Sequence, residues 1–313
     1  MNSLEVSTKK SSSPLFMNLK RNWPLYTMVM PGVLLIFVFA YLPMYGIVMA
    51  FEKFKPALGF FHSPWADPWY KYFEQLFTDV YFKRLLKNTL LLGVYALLWG
   101  FPAPIILALL FNEIRNSKFK RIVQTISYMP YFLSTIVVIG ILRIFFATDG
   151  PVNDIFGNFG AGISNIFMLP EAFRSIYIGS GIWSTVGYSS IIYLAAIAGI
   201  NSEQYEAAIV DGANRFKQML YITIPSLLPT ITILLIFAMS GIIGNDYQKI
   251  LLIHNEATYS TSDVIGTYVF RTGVQGDSQS YAAAAGLFSS VIAFVMLYLT
   301  NLFARKFSEN SLW

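Results

Sequence analysis

The sequence predicts an all-α integral membrane protein: six transmembrane helices, with a polar helix-turn-helix between the fourth and the fifth. Three observations carry that expectation. The chain of 313 residues is 55% hydrophobic and only 12% charged, whereas ordinary soluble domains average about a quarter charged residues. Six apolar stretches are each long enough for a bilayer, which takes about 20 residues of helix. One run, residues 201–229, is polar and patterned where its surroundings are lipid-like.

Taken in order, residues 1–24 are polar, with Ser11, Ser12 and Ser13 among Lys9, Lys10, Lys20 and Arg21. A cleavable signal peptide would have a short apolar core and a small-residue cleavage site; neither is found, and the segment reads as a solvated cytosolic tail. The membrane domain covers 25–304, with spans expected near 25–51, 88–111, 122–146, 176–200, 226–244 and 281–303. A short second tail, 305–313, closes the chain. Pro31 and Pro43 in the first span and Pro102 and Pro104 in the second predict kinks. Such breaks are tolerated in membranes where neighbours satisfy the freed carbonyls.

An even number of spans puts both termini on one side. The short loop 112–121 carries Arg115, Lys118, Lys120 and Arg121, which marks it as cytosolic under the positive-inside rule. Both termini then lie in the cytosol. On the outer side, residues 52–87 are rich in aromatics (Phe54, Phe60, Phe61, Trp65, Trp69, Tyr70, Tyr72, Phe73) and suit the membrane–water boundary. Residues 148–175, with Gly150-Pro151, Gly157, Gly160 and Gly162, read as a loop holding a short helix. Residues 245–280 are a long polar stretch in which 263–271 is expected to form a surface helix. These three segments are where an extracellular partner could dock.

Composition also excludes function classes. Without Cys there are no disulfides, thiolate sites or cysteine nucleophiles. His62 and His254 are too far apart to suggest a metal cluster. The net charge of +5 reflects loop orientation before any nucleic-acid affinity. No Gly-x-x-x-x-Gly-Lys-Ser/Thr phosphate loop is present, so ATP-driven work would need a separate polypeptide. An ion-coupled secondary carrier would want intramembrane carboxylates and two related halves, and no span has an acidic residue at its centre. An intramembrane enzyme would need a nucleophile–base or metal constellation, and none is evident.

The polar run has its own logic. Asn201 and Gln204 suit a helix start. Tyr205, Ala208 and Ile209 then share a face, and Gly212 interrupts. Phe216, Leu220 and Ile224 form the stripe of a second short helix, which Pro225 and Pro229 stop or kink. Asp211 is a candidate cap for that second helix. A narrow apolar ridge with charged flanks suits insertion into a groove on a soluble partner.

This run resembles the signature loop of the membrane subunits of bacterial ABC importers: Glu206-Ala207-Ala208, Asp211-Gly212, Ile222 and Ile224-Pro225, with Ile224 where the family usually has Leu. Trp23-Pro24-Leu25-Tyr26, Tyr41-Leu42-Pro43-Met44-Tyr45-Gly46, Leu86-Lys87-Asn88-Thr89-Leu90, Phe101-Pro102-Ala103-Pro104, 124–130 and Ala257-Thr258-Tyr259 are similar to the carbohydrate-uptake branch, in particular to the LplB-type permeases for complex oligosaccharides. The large outer domain of the related maltose subunit is not seen. The resemblance implies a type I ABC importer permease fold in a bacterial cell membrane. It implies that Glu206, Ala207, Ala208, Asp211, Gly212, Phe216 and Pro225 couple to an ATPase dimer that binds ATP and Mg, this chain holding no cofactor. It further implies a second homologous permease, an extracellular solute-binding lipoprotein, a carbohydrate substrate, surrounding lipid and no nucleic acid. Amide importers share the loop, so a non-sugar solute stays open.

By the same resemblance, ligand contacts come from the fourth to sixth spans. Trp183, Ser184, Gly187 and Tyr188 in the fourth, and Ser240, Asn245, Tyr247 and Gln248 after the fifth, are polar or small enough to line a cavity. The plainer role for any of them is helix packing, since Gly and Ser bring membrane helices close. Arg143 is the one charge well inside a span. It is expected to pair with Asp149 or to snorkel outward.

Overall fold

The computed structural model describes residues 21–158 and 165–307. Most of both tails and the glycines at 160 and 162 therefore lie outside the described residues. The described chain is helical apart from a single β-bridge between Glu52 and Trp65. Its helices are α1 (Trp23–Phe51), α2 (Gly59–His62), α3 (Lys71–Thr78), α4 (Phe82–Glu113), α5 (Ser117–Phe132), α6 (Thr135–Phe145), α7 (Pro151–Asn158), α8 (Pro170–Ala198), α9 (Ser202–Val210), α10 (Arg215–Ser240), α11 (Tyr247–Ile253), α12 (Tyr259–Ser262), α13 (Ile265–Val269) and α14 (Gln279–Phe307).

Five helices are long and apolar enough to cross a membrane: α1, α4, α8, α10 and α14. The third expected span is broken in its middle. α5 and α6 together are apolar enough for one more, but they meet at 102°. The cause is local. Pro130 tightens the end of α5 into a 3₁₀ turn, and Leu133 and Ser134 are extended. The Ser134 hydroxyl then accepts the Val137 N–H to start α6, as an N-cap does.

The expected kinks take a specific form. In α1 a π turn at Phe37–Tyr41 ends two residues before Pro43. In α4 a π turn at Ala96–Gly100 ends two residues before Pro102. In α10 a π turn at Met219–Thr223 ends two residues before Pro225. A proline cannot donate to the carbonyl four residues back and its ring crowds it; a widened turn just upstream relieves both. Pro225 therefore does not stop the helix. The second short helix of the polar run and the fifth span are one continuous element, α10, which starts well before the expected 226.

Apolar side chains mostly face outward along these helices, as a lipid surface requires. No residue of α1 is buried before Ala50. α1 docks only through its final 3₁₀ turn, Tyr45–Phe51, against α14, which also packs on α10. The central contact is α8 on α4. One core cluster gathers Leu92, Val138, Phe173, Tyr177 and Ile250 around the N-terminal part of α8. Another gathers Ala108, Tyr193, Ile197 and Leu227 around its C-terminal part. The middle of α8 is left to line a cavity.

The segment between α10 and α14 differs from the expected surface helix at 263–271. Asp263, Val264 and Thr267 are fully buried, and the helix there is only α13 plus a π turn, Phe270–Val274. The Asp263 carboxylate accepts from Arg271 at 2.9 Å and from Thr267 at 2.8 Å, with Arg84 at 3.8 Å. With its charges answered internally, the segment can pack as a cap. Asn88 of α4 fixes it by donating to the Ser260 and Asp263 carbonyls at 3.1 Å each.

Candidate functional site

Two regions carry functional potential. The first is a cavity of about 560 Å³ beside the middle of α8. Its wall combines Tyr177, Ser180, Gly181, Ser184 and Thr185 of α8 with Tyr131 and Thr135 at the α5–α6 break, Ala96 and Gly100 of the α4 π turn, and Asp246 and Lys249 of α11. The break in α5–α6 brings Tyr131 face to face with Tyr188, centroids 3.9 Å apart and planes 5° apart. Phe132 meets Tyr188 edge-on at 6.5 Å. At the opposite wall, the Asp246 carboxylate caps α11 by accepting the Lys249 N–H at 3.0 Å, and the Asp246 N–H donates to the Tyr177 hydroxyl at 3.1 Å. Lys249 is buried, and its ammonium donates to the Tyr177 carbonyl at 2.7 Å. Burial pushes the Lys249 ammonium down to about 8, against the opposing pull of the Asp246 charge.

The expected ligand residues are spread unevenly around this cavity. Ser184 lines it, and Tyr188 borders it through the stack on Tyr131. Trp183 lines a smaller apolar pocket with Leu142, Phe146 and Ile166. Gly187 is a packing residue: a Cβ there would overlap the Ser127 carbonyl of α5. Ser240 donates to the Phe237 carbonyl of its own helix. Asn245 donates to the Thr89 carbonyl at 3.0 Å. Tyr247 packs on Phe270 with ring centroids 5.8 Å apart, and Gln248 is exposed. Sequence reasoning missed Tyr131, Tyr177, Asp246 and Lys249. The available signal was the Asp246/Lys249 spacing, three residues apart just after a span. Arg143 pairs neither with Asp149 nor with solvent alone. It donates to the Leu252 carbonyl at 2.6 Å and lies over the Phe167 ring at 5.5 Å, a structural tie between α6 and α11.

The second region is the turn between α9 and α10. Asn201 caps α9 by accepting the Glu203 N–H at 3.0 Å. α9 ends with the Ala213 N–H on the Ala208 carbonyl (2.8 Å) and the Gly212 N–H on the Ile209 carbonyl (3.0 Å), the paired bonds of a Schellman motif. Gly212 sits at φ +75° with open space where a Cβ would be. Its requirement is therefore conformational, not the relief of crowding. Asn214, not Asp211, caps α10, accepting the Lys217 N–H at 2.9 Å. Asp211 is instead the last residue of α9's own cap.

Around this turn Ile209, Val210, Phe216 and Tyr221 are all more than 60% exposed, while Tyr205 and Ala208 face inward. Glu206 is exposed and makes no hydrogen bond or ion pair with a described residue. Ala207, beside it, is exposed as well. Two ties hold the turn to the bundle: the Tyr205 and Thr223 hydroxyls at 2.9 Å, and Arg215 with Glu113 at the end of α4, 3.3 Å. Among the described residues no group of three His, Cys, Asp or Glu side chains could hold a metal ion.

The model of the family described as "binding-protein-dependent transport system inner membrane component" matches residues 100–309, two thirds of the chain. This chain is a member of that family. The permease is 38% identical over 296 residues to Protein LplB of Bacillus subtilis (strain 168), covering 94% of this chain and 92% of that one. It is 37% identical over 309 residues to the polygalacturonan/rhamnogalacturonan transport system permease protein YteP of the same organism, covering 98% and 96%. Among solved structures it is similar to a chain of a bacterial ABC transporter involved in the import of the acidic polysaccharide alginate. That match has a TM-score of 0.86 at 40% identity and covers 93% of this chain and 98% of the other. The permease is thus a multi-pass membrane subunit of an ABC transport system with the type I importer fold.

Proposed function

We propose that this permease forms, with a second homologous permease, the translocation pathway of an importer for an oligosaccharide, delivered by an extracellular solute-binding protein. An ATPase dimer supplies the drive and binds the ATP and Mg; this chain holds no cofactor. Both termini face the cytosol, so the α9–α10 turn faces the ATPase. Glu206, Ala207, Ala208, Asp211, Gly212, Phe216 and Pro225 belong to that contact. The observation that carries the reading is the combination of an exposed apolar turn around an unpaired Glu206 with near-full-length similarity to permeases of polysaccharide import. The cavity chemistry agrees. Sugar sites want aromatic faces and a few convergent polar groups, and the Tyr131–Tyr188 stack, the Ser and Thr hydroxyls and Asp246 supply them.

The test is co-purification of the tagged native chain from mild detergent beside the double variant Glu206→Lys with Gly212→Trp. A nucleotide-binding subunit and a second permease should accompany the native chain, and the double variant should lose only the former. A native chain that purifies alone and moves solute into liposomes without ATP would replace this reading with that of a secondary carrier.

A further inference from the structure

Lys249 is the cavity residue whose position costs the most. It is 8% exposed, yet no carboxylate lies within 4.0 Å of its nitrogen among the described residues. Its ammonium makes one hydrogen bond, to the Tyr177 carbonyl at 2.7 Å, and lies 4.7 Å from the centre of the Tyr177 ring. An ammonium has three donors, so two are unfilled. The Asp246 carboxylate, which caps α11 through the Lys249 N–H, pulls on this charge from beyond 4.0 Å without pairing with it. A buried charge without a partner is disfavoured by several kcal/mol, and ionisable groups kept inside membrane proteins mark ligand paths. The ammonium nevertheless borders the cavity, which Lys249 and Gly181 both line. A Cβ on Gly181 would stand 3.1 Å from the nitrogen, so the glycine lets the side chain lie against α8.

We infer that Lys249 binds a carboxylate of the transported oligosaccharide, so that this cavity takes uronate-containing, acidic saccharides in preference to neutral ones. The inference rests on the oligosaccharide reading above and specifies its substrate class. A carboxylate would fill the vacant donors with charge-assisted bonds, which are roughly twice as strong as neutral ones. The rest of the wall suits sugar hydroxyls. Ser180, Ser184 and Thr185 spend their single protons on carbonyls of their own helix, leaving oxygen lone pairs to accept. Asp246 keeps a carboxylate oxygen for the same purpose, and the Tyr131–Tyr188 stack offers an aromatic flank for a ring. The two charged groups thus divide the ligand: carboxylate to Lys249, hydroxyls to Asp246. The names of the similar proteins point the same way, one to polygalacturonan and one to acidic alginate.

The experiment uses the complex that purifies with the tagged chain, in nanodiscs and without binding protein. It is titrated calorimetrically with trigalacturonate and with its fully methyl-esterified, uncharged form. The native complex should bind the acid at least about tenfold more tightly than the ester, the scale of one hydrogen bond to a charged group. Lys249→Gln should bind both with the ester's affinity, which also shows that it is folded, and Lys249→Arg should keep the preference. Equal binding of acid and ester by the native complex overturns the inference while leaving oligosaccharide transport standing; so does a preference that survives in Lys249→Gln. If the native complex binds neither saccharide, the oligosaccharide reading falls and this inference with it.

Discussion

The α9–α10 turn and the α8 cavity are built by opposite means. The turn is one contiguous stretch, held by its own caps (Asn201, Gly212, Asn214) and tied to the bundle by one hydroxyl pair and one exposed ion pair. The cavity is assembled from α4, the α5–α6 break, α8 and α11, and nothing local to any one of them makes it. The turn can therefore be altered without unfolding the protein, whereas the cavity depends on buried polar ties many residues apart. On the proposed coupling role, a surface that follows a moving partner benefits from local construction. A site that must hold geometry inside lipid needs the whole bundle.

Four measurements break or sharpen that contrast. The largest effect is expected at the buried Asp263 carboxylate. Asp263→Ala removes the carboxylate that accepts from Arg271 and Thr267. Both Arg271 and Arg84 are partly exposed and can be hydrated, so the loss is about 2–4 kcal/mol, short of the penalty for a fully buried pair. Detergent-solubilised thermal unfolding should show a large loss, often of the folded protein itself. Next, Gly187→Val forces a side chain into the Ser127 carbonyl. Overpacking of this kind costs about 1–3 kcal/mol, and the thermal midpoint should fall while the α9–α10 turn still co-purifies the ATPase. Third, Gly212→Ala places a side chain at φ +75°, a strain of about 1–2 kcal/mol. Local fraying of this exposed turn can relieve that strain, so the thermal midpoint should fall less than in Asp263→Ala, and ATPase stimulation should fall. A Gly212→Ala protein that melts as early as Asp263→Ala would erase the contrast.

The smallest effect is a pH dependence. The Asp79 carboxylate accepts from Tyr268 at 2.6 Å, Tyr81 N–H at 2.8 Å and Tyr281 at 2.9 Å. Partial burial alone would raise its carboxyl; these hydrogen bonds outweigh burial and hold it below the ordinary 3.8. Because the folded value is the lower one, the stabilisation is complete above the unfolded value and is lost as pH falls through the folded one. For a half-buried group that solvent still screens, it is worth about 0.5 kcal/mol or less. Asp79→Asn should flatten the acid limb of a melting-temperature profile between pH 5 and 3 by about that much.

The same contrast explains what could be read from the sequence. The long apolar spans, the α9–α10 helix pair, the Asn201 cap and the Gly212 break follow from nearest-neighbour chemistry: apolar length, an Asn before a helix, a Gly after one. The cap of α10 does not, since Asp211 and Asn214 are equally good cap types three residues apart and the fold uses Asn214. The 102° turn at Pro130 was not legible, because a proline in an apolar run is as compatible with the continuous α10, which passes Pro225 and Pro229, as with the break between α5 and α6. The difference lies in Leu133 and Ser134 adopting extended backbone. Nor could Asn245 be told from a ligand group, since its partner, the Thr89 carbonyl, is 156 residues away. Lys249 stands in the polar stretch 245–280, where a charge after a span is ordinarily solvated; only the fold turns it inward. Asn88 and Thr89 were visible as part of a family resemblance, yet their work as anchors for the cap needed the coordinates.

The π turns within α1, α4 and α10 each hold one residue more than an α turn would, without lengthening the helix in proportion. Counting in steps of 3.6 therefore goes out of phase at each of them by one residue, roughly 100° around the axis. A helical wheel drawn straight through α4 assigns Leu85 and Leu92, before Ala96–Gly100, and Ala108 and Phe111, after it, to faces that the protein does not have. Pro43, Pro102 and Pro225 thus each travel with a compensating insertion two residues upstream. Removing a single residue from such a turn would leave the span able to cross the bilayer, but would swing everything beyond it by a quarter of a revolution. In α4 that would point lipid-facing side chains at α8.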